Sequence, residues 1–192
     1  MTGVSRWAAG LVAAVALCAR SARAQDEEQA TLGVKSVGSY LSYTWIDHAR
    51  NGWDLGADVD VGSVVTPRAH ILLEANYLHA DLDRSDIEGT PLQGSFHDFS
   101  VSAALRVTLV HAARVEPYIG AGVGLHFLGN DFPAGQPYRD DYRGTKVGGE
   151  YFGGVSFDLT KDRRWALYGE LRRIEVSTVP RTTVRAGFFV RL

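Results

Sequence analysis

One stretch of the sequence decides the fold: residues 95–109 read SFHDFSVSAALRVTL. Apolar side chains occupy every second position from Phe99 to Leu109, and the positions between them are polar or small. Because successive side chains of a β-strand point to opposite faces, this alternation predicts a strand with one purely apolar face. An amphipathic helix would repeat its apolar residues every three or four positions, and no stretch after Gln25 sustains that period.

Seven further segments show the same alternation with varying clarity. They are Val37–Ile46, Trp53–Val65, Ile71–Leu82, Val115–Phe127, Val147–Leu159, Trp165–Val176 and Arg181–Leu192. In the third of them, Leu72 and Leu78 interrupt the pattern. The chain after Gln25 is therefore predicted to be all-β, with eight strands.

The connections between these segments differ in length. Short links at Thr66–His70, Val110–Arg114 and Thr160–Arg164 follow the second, fourth and sixth strands. Longer links rich in Asp, Gly and Pro, at Leu82–Gly94 and Gly129–Thr145, fall at the opposite end. Since the strand number is even, both termini lie at the end with the short links. This asymmetry is typical of outer-membrane barrels, which have tight periplasmic turns and longer outer loops.

Composition limits the classes of protein to consider. The 192 residues suffice for about one domain, and 21 Gly with 22% charged residues exclude collagen, a coiled coil and a disordered tail. The net charge is −2 and no Lys/Arg run occurs, so no nucleic-acid partner is expected. The single Cys18 excludes an intramolecular disulfide and a cysteine zinc site.

The first 24 residues have the features of a secretory signal peptide. Arg6 precedes the apolar run Ala8–Cys18, and Ala22 and Ala24 form a small-x-small cleavage site before Gln25. Arg20 and Arg23 interrupt the run too early for a membrane-spanning helix, and the bulky Leu17 disfavours lipoprotein processing at Cys18. We expect a signal peptide over residues 1–24, a short segment over 25–30 and the barrel domain over 31–192.

The direction of the apolar face separates two kinds of eight-stranded barrel. A soluble lipocalin-type barrel lines its interior with apolar side chains, which would leave Gly120, Gly122, Gly124 and Gly154 bare on the outside. The lipocalin Gly-x-Trp signature is also missing. The reverse arrangement places these glycines and the ionisable residues in the lumen, and strands of about ten residues cover an apolar belt of roughly 25 Å. Aromatic residues near strand ends suit the interfacial girdles; they are Tyr43, Trp45, Trp53, Tyr77, Phe127, Tyr151 and Trp165.

Two segments carry a family resemblance. Residues 117–125, PYIGAGVGL, resemble the glycine-alternating strand of small outer-membrane β-barrels of the outer-membrane protein A type. The ending at residues 184–192, VRAGFFVRL, resembles the C-terminal signal that the barrel-assembly machinery reads, although the family usually ends in an aromatic residue and this chain ends in Leu192. The resemblance implies an eight-stranded antiparallel up-and-down barrel in the outer membrane, in contact with lipid and lipopolysaccharide.

The resemblance is weak for function, since the family includes structural barrels, adhesins, small channels and a few lipid enzymes. We expect a non-enzymatic role in supporting the envelope or in surface interactions, with residues 83–93 and 130–143 as the best candidates for partner contacts. The alternative is a narrow channel for small solutes, as in relatives of the outer-membrane protein W type.

The lumen of such a barrel is only just wide enough for side chains to fill. The polar network predicted there comprises Asp58, Asp60, Glu74, Arg106, Glu150, Glu170, Arg172 and Arg185, with Glu116, His126 and Arg191 as further candidates. An unpaired charge in this space is costly, so these groups should pair across strands. Glu150, Glu170, Arg172 and Arg185 lie on the last three strands and could form one network.

A catalytic site has weaker support. Ser95 and His97 share one face of a strand, and His79 and Asp81 share a face of the preceding one, which allows an outward-facing Ser-His-acid group acting on lipid A esters. However, the lipid A deacylases carry His-x-Ser-Asn, and the order at residues 97–100, HDFS, places His97 and Ser100 on opposite faces. The histidines are scattered and no EF-hand spacing occurs, so neither a metal nor a cofactor is expected.

Overall fold

The computed structural model describes residues 31–47, 51–81, 85–87, 90–92, 94–110, 114–135, 139–177 and 179–192. Its strands are β1 Leu32–Ile46, β2 Gly52–Ser63, β3 Ala69–Asp81, β4 Ser85–Ile87, β5 Thr90–Leu92, β6 Ser95–Thr108, β7 Val115–Asn130, β8 Gly144–Asp158, β9 Trp165–Val176 and β10 Arg181–Arg191. Within these ranges no helix has the length and apolar character needed to cross a membrane.

Eight of the strands form one closed antiparallel barrel, in the order β1-β10-β9-β8-β7-β6-β3-β2. Each barrel strand pairs with the next barrel strand along the chain, which for β3 is β6. The barrel closes where β1 pairs with β10, from Ser36 opposite Arg191 to Ile46 opposite Arg181. The remaining strands, β4 and β5, form a separate two-stranded sheet in the link that connects β3 to β6 along the chain. The predicted eight-stranded antiparallel meander is therefore confirmed.

The alternation of side chains assigns the apolar residues to the outside of the barrel. On β9, Leu171 is 57% exposed while its neighbour Arg172 is 1% exposed. The same division runs around the barrel, with Leu55, Val101 and Val123 facing outward. An apolar exterior and a polar interior are expected where hydrocarbon rather than water surrounds the barrel.

Several strands are longer than the sequence predicts. β1 begins at Leu32 instead of Val37, because the Thr31 carbonyl accepts a hydrogen bond from Ser63 and extends the pairing with β2. β7 continues to Asn130 opposite Phe96. In β1 the alternation changes phase at a register shift between Leu32 and Ser36. At the end of β7, Leu128 belongs to the buried apolar cluster, so the pattern of polar inward residues stops there.

The two ends of the barrel differ. The end with the short links between β2 and β3, β6 and β7, and β8 and β9 is here named the turn end. It also carries the start of β1 and the end of β10. The opposite end, the loop end, is filled by inward-facing apolar side chains. They are Ile46, Leu78, Ala80, Phe96, Leu128, Phe132, Tyr142 and Val179. Leu78 thus breaks the sequence alternation because this layer of the lumen is apolar.

Candidate functional site in the barrel lumen

Arg172 is the centre of a buried ion-pair network halfway along the lumen. Its guanidinium donates to Glu170 across 2.8 Å, to Glu150 across 2.8 Å and to both carboxylate oxygens of Glu74 across 2.8 Å. Arg172 is 1% exposed and the three carboxylates are at most 8% exposed. The planar fork of arginine allows this arrangement, because it presents several donors in fixed directions.

Arg185 supplies the second positive charge of the network. It donates to Glu74 across 2.7 Å and lies 3.7 Å from Glu170. Both guanidinium groups also cover aromatic rings: Arg172 lies 4.1 Å from the centroid of Phe152, and Arg185 lies 4.2 Å from that of Tyr40. These stacked rings hold the arginines in place and fill the lumen beside them.

The structure thus brings together five of the residues singled out in the sequence: Glu74, Glu150, Glu170, Arg172 and Arg185. Glu74 comes from β3 on the far wall and joins the two arginines. Sequence reasoning placed it in the lumen but did not connect it to the network on the last three strands, because the position of β3 across the barrel depends on strand tilt and register.

Of the other predicted lumen residues, Asp60 and Arg106 lie closer to the turn end, and Asp58 lies opposite Glu74 in the strand register. Asp60 accepts hydrogen bonds from Arg106 across 3.0 Å and from the Gly62 backbone amide across 2.8 Å, and His70 Nδ1 lies 3.0 Å from it. Asp58 accepts a hydrogen bond from the Tyr168 hydroxyl across 3.0 Å. These residues therefore form contacts separate from the Arg172 network.

A third polar layer lies beneath the apolar loop end, and sequence reasoning missed most of it. Arg181 donates to Asp98 across 2.5 Å, and His126 contacts the same carboxylate at 2.8 Å. Arg181 and Asp98 are fully buried. Their strand parity was the available signal, since Asp98 shares a face with Ser100 and Arg181 shares one with Arg185.

At the turn end Arg191 joins two acidic residues. It donates to Asp158 across 2.6 Å and to Glu116 across 3.3 Å. Charged layers thus occur at both sides of the Arg172 network. The charged side chains of these layers pair with one another and fill the lumen, because each arginine is held by carboxylates.

The outward-facing group considered for catalysis is assembled only in part. Asp81 pairs with Ser95 and His79 with His97 in the strand register, so the four residues are neighbours on the outer surface near the loop end. His79 lies 3.5 Å from Asp81. Attack on an ester needs a hydrogen bond between the serine hydroxyl and the histidine ring. In the described ranges the His97 ring is instead stacked with the Tyr77 ring, with 6.5 Å between the ring centroids.

The part of the chain that the structure describes contains no candidate metal site made of His, Cys, Asp and Glu ligands. No group of three or more His, Cys, Asp or Glu residues there could hold an ion. This holds also for Asp140 and Asp141, in the loop before β8.

Comparison with known proteins agrees with this architecture. No curated protein matches the chain. Among solved structures, Neisserial surface protein A superposes with a TM-score of 0.57 at 15% identity, covering 86% of this chain and 100% of that one. The outer membrane protein OprG from Pseudomonas aeruginosa gives a TM-score of 0.55 at 10% identity, covering 84% of this chain and 97% of that one. At these identities the likeness concerns the fold alone.

The sequence itself gives the more direct assignment. Residues 9–191 match the family model described as the outer membrane protein beta-barrel domain. The match spans all eight barrel strands, from β1 to β10. The chain therefore belongs to the outer membrane protein beta-barrel domain family.

Proposed function

We propose that the protein is a closed barrel of the outer membrane with a structural or surface-interaction role and no enzymatic activity. In this proposal residues 1–24 are a signal peptide cleaved before Gln25, the turn end faces the periplasm and the loop end faces outward. The apolar exterior contacts lipid and lipopolysaccharide, and β10 is the segment that the barrel-assembly machinery reads.

The filled lumen is the observation that carries this proposal. Apolar side chains occupy the loop end, and the Arg172 network occupies the middle. An ion crossing the barrel would have to displace buried side chains at both levels and separate charges that stabilise one another, which is costly. The arrangement supports a plugged barrel over the alternative of a narrow channel for small solutes.

The loop end supports a role in presentation to other surfaces. The long link between β3 and β6 contains the hairpin β4–β5, and the link between β7 and β8 is anchored to the barrel. The Asn130 amide donates to the carbonyls of Arg139 and Tyr142, each across 2.9 Å. Phe132 and Tyr142 are buried, so the candidate contact surface of this second loop is its exposed remainder, including Asp140 and Arg143.

Planar-bilayer conductance tests the plugged lumen. We expect the purified, refolded protein to show no discrete openings in a bilayer where a general porin conducts. The variants Glu150→Gln, in the lumen, and Glu175→Gln, on the outside, form a matched pair because each removes one carboxylate. Openings altered by Glu150→Gln alone would establish a channel through the lumen and overturn the proposal, whereas openings that neither variant alters arise outside the lumen and leave it standing.

Two further measurements test location and the absence of catalysis. Outer-membrane fractions should contain the protein with heat-dependent gel mobility, and its absence from them would contradict the proposed location. Lipid A acyl chains should be identical in cells with and without the protein. Acyl loss that Ser95→Ala abolishes would instead establish the hydrolase.

A further inference from the structure

Four buried side chains with unpartnered polar atoms lie on one part of the lumen wall, between the Arg172 network and the apolar loop end. They are Tyr40 and Ser42 on β1, Asp54 on β2 and Asn76 on β3, and each is at most 5% exposed. In the described ranges the two hydroxyls, one oxygen of Asp54 and both polar atoms of the Asn76 amide have no hydrogen-bond partner. Buried polar groups are seldom left without partners in folded proteins, so this group points to a ligand.

The strand register brings these side chains together. Ser42 lies directly opposite Asp54. Gly56 lies directly opposite Tyr40 on one side and Asn76 on the other. The Tyr40 hydroxyl lies against the backbone of Gly56, where a Cβ atom would clash with it. Since residues two apart or directly opposed share a face of the sheet, the unpartnered atoms surround one point of the wall.

Asp54 lacks a positive partner within the described ranges. Its carboxylate accepts a hydrogen bond from the Thr44 hydroxyl across 2.6 Å and forms no ion pair there. Arg185 donates to Glu74 instead. The neighbouring Arg172 network has no spare charge, since its three carboxylates exceed its two guanidinium groups. An unpaired carboxylate is costly to bury, so a bound cation would stabilise this part of the lumen.

The donor set around Asp54 fits a small monovalent cation. Its neighbours present neutral oxygen atoms, from two hydroxyls and the Asn76 amide. Oxygen ligands suit hard cations, whereas thiolate and imidazole ligands suit zinc and copper. One carboxylate balances one positive charge, while calcium takes about six to eight oxygen ligands and magnesium keeps several waters. We propose that Tyr40, Ser42, Asp54 and Asn76 bind a sodium ion; they are here named the Asp54 site.

The Asp54 site is closed toward both ends of the lumen. On β3, Leu78 follows Asn76 on the inner face and belongs to the apolar loop end. On the other side of Asn76, Glu74 is bound to Arg172. The ion therefore enters as the barrel folds and leaves slowly afterwards. Sequence reasoning expected no metal, because the ligands come from three strands and only one of them is acidic.

Urea unfolding of the refolded barrel in uncharged micelles, at constant ionic strength, tests the site. Sodium chloride is compared with choline chloride, since choline is too large to enter. A ligand that binds only the folded state raises the folding equilibrium constant in proportion to its concentration above the dissociation constant. A tenfold increase in saturating sodium should therefore raise this constant by about tenfold, and potassium should act more weakly. Equal stability in sodium and choline, or an equal or larger effect of potassium, would overturn the proposal.

A matched pair of variants separates the site from overall charge. Asp54→Asn removes the carboxylate of the site, and Asp162→Asn removes an exposed carboxylate in a turn. We expect the sodium dependence to disappear in the first variant and to persist in the second. Loss in both variants, or in neither, would contradict the proposal.

A milder pair guards against loss of folding in Asp54→Asn. Tyr40→Phe removes one oxygen ligand but keeps the ring beneath Arg185, and Tyr43→Phe removes a hydroxyl whose partner is Asn51. The sodium concentration needed for half-saturation should rise by about tenfold in Tyr40→Phe and by less than about twofold in Tyr43→Phe. Heat-dependent gel mobility reports that each barrel is formed. An unchanged requirement in Tyr40→Phe would overturn the assignment of this ligand set.

Sodium content gives a direct measurement of the bound ion. Protein refolded in sodium and exchanged into choline buffer should retain about one sodium ion per barrel, which atomic emission detects and unfolding releases. A content no higher than that of the final buffer would overturn the enclosed site. Calcium or magnesium retained in place of sodium would overturn the monovalent assignment. These measurements do not depend on the orientation or the role given under Proposed function, so the two hypotheses can fail separately.

Discussion

Arg172 and Arg173 are neighbours on β9 with opposite surroundings. Arg172 is enclosed by Glu74, Glu150 and Glu170, while Arg173 pairs with Asp47 and Glu175 on the outside. Arg172→Met should lower the free energy of unfolding by about 3–5 kcal/mol, because three buried carboxylates lose their shared cation. Urea unfolding of the refolded barrel in micelles measures this loss.

Arg173→Met is the matched control for that measurement. Its side chain is 24% exposed, and its partners are 38% and 51% exposed, so solvent screens the charges. We expect a loss of at most about 1 kcal/mol. Similar losses in the two variants would show that the lumen network does not stabilise the barrel more than a surface ion pair does.

Gly153 and Gly154 provide a second pair of adjacent residues with opposite constraints. A Cβ atom on Gly154 would lie 2.6 Å from the Tyr118 hydroxyl and 2.5 Å from the Gly169 carbonyl oxygen. A Cβ atom on Gly153 would meet nothing closer than 3.8 Å. Glycine is therefore required at position 154, where the Tyr118 ring lies against the backbone, and it is not required at position 153.

Alanine substitutions should show this difference in unfolding experiments. Gly154→Ala must displace Tyr118 or the backbone of β9, so we expect a loss of about 1–3 kcal/mol. Gly153→Ala should be neutral or stabilising by up to about 1 kcal/mol, since it restricts the unfolded chain. Equal stability of the two variants would mean that the lumen accommodates the added methyl group without cost.

At the scale of elements, Asp131 joins the loop after β7 to the start of β6. Its carboxylate accepts a hydrogen bond from the Ser95 backbone amide. This hydrogen bond holds the pKa of Asp131 below its usual range. The carboxylate therefore stabilises the attachment at pH values above the ordinary aspartate pKa, and the contribution is lost as pH falls through the lowered value.

Amide hydrogen exchange at Ser95 measures this attachment. Protection of the amide should be constant near neutral pH and should fall in acid, once the intrinsic exchange rate is taken into account, as Asp131 becomes protonated. In the Asp131→Asn variant protection should be lower at neutral pH and should lack the acid transition. A wild-type profile without that transition would indicate that another group holds the Ser95 amide.

The alternation of residues predicts the barrel strands well and the rims poorly. β9 has the predicted bounds, Trp165–Val176, because inward and outward side chains alternate in burial along its whole length. The character of the two faces changes after Arg172, where Ile174 and Val176 are buried and Arg173 and Glu175 lie outside. The hairpin β4–β5 was missed within the long link at residues 82–94, since strands of three residues are too short to show a period. The burial of Phe132 was missed because it depends on contacts with distant residues of the apolar loop end.

The lumen network was likewise predictable from the sequence only in part. Parity along a strand shows that Arg172 and Glu74 face inward, so their location could be predicted from the sequence. Which acid meets which base depends on strand tilt across the barrel, and a one-residue change in register would alter each pairing. The partners of Arg172 beyond its own and adjacent strands therefore required the structure.

At the scale of the whole molecule, the outer surface must remain apolar along the middle of the strands. Val123 lies near the middle of β7 and is 63% exposed. Val123→Lys should lower the free energy of unfolding in liposomes by about 2–4 kcal/mol, because it places a charge in the hydrocarbon region. Val65→Lys, at an 85% exposed position in a turn at the turn end, should have little effect. Equal effects would place Val123 outside the hydrocarbon.

The pairing of β1 with β10 has a consequence for how the molecule is made. Leu41 meets Ala186, so the seam of the barrel joins residues from the two extremes of the chain. During synthesis every earlier strand emerges before the partner of β1 exists. Two unpaired edges therefore persist until the last segment arrives, and a chain cut short before Arg181 would keep both of them available for aggregation. Protection of these edges until β1 and β10 pair thus becomes a requirement of biogenesis.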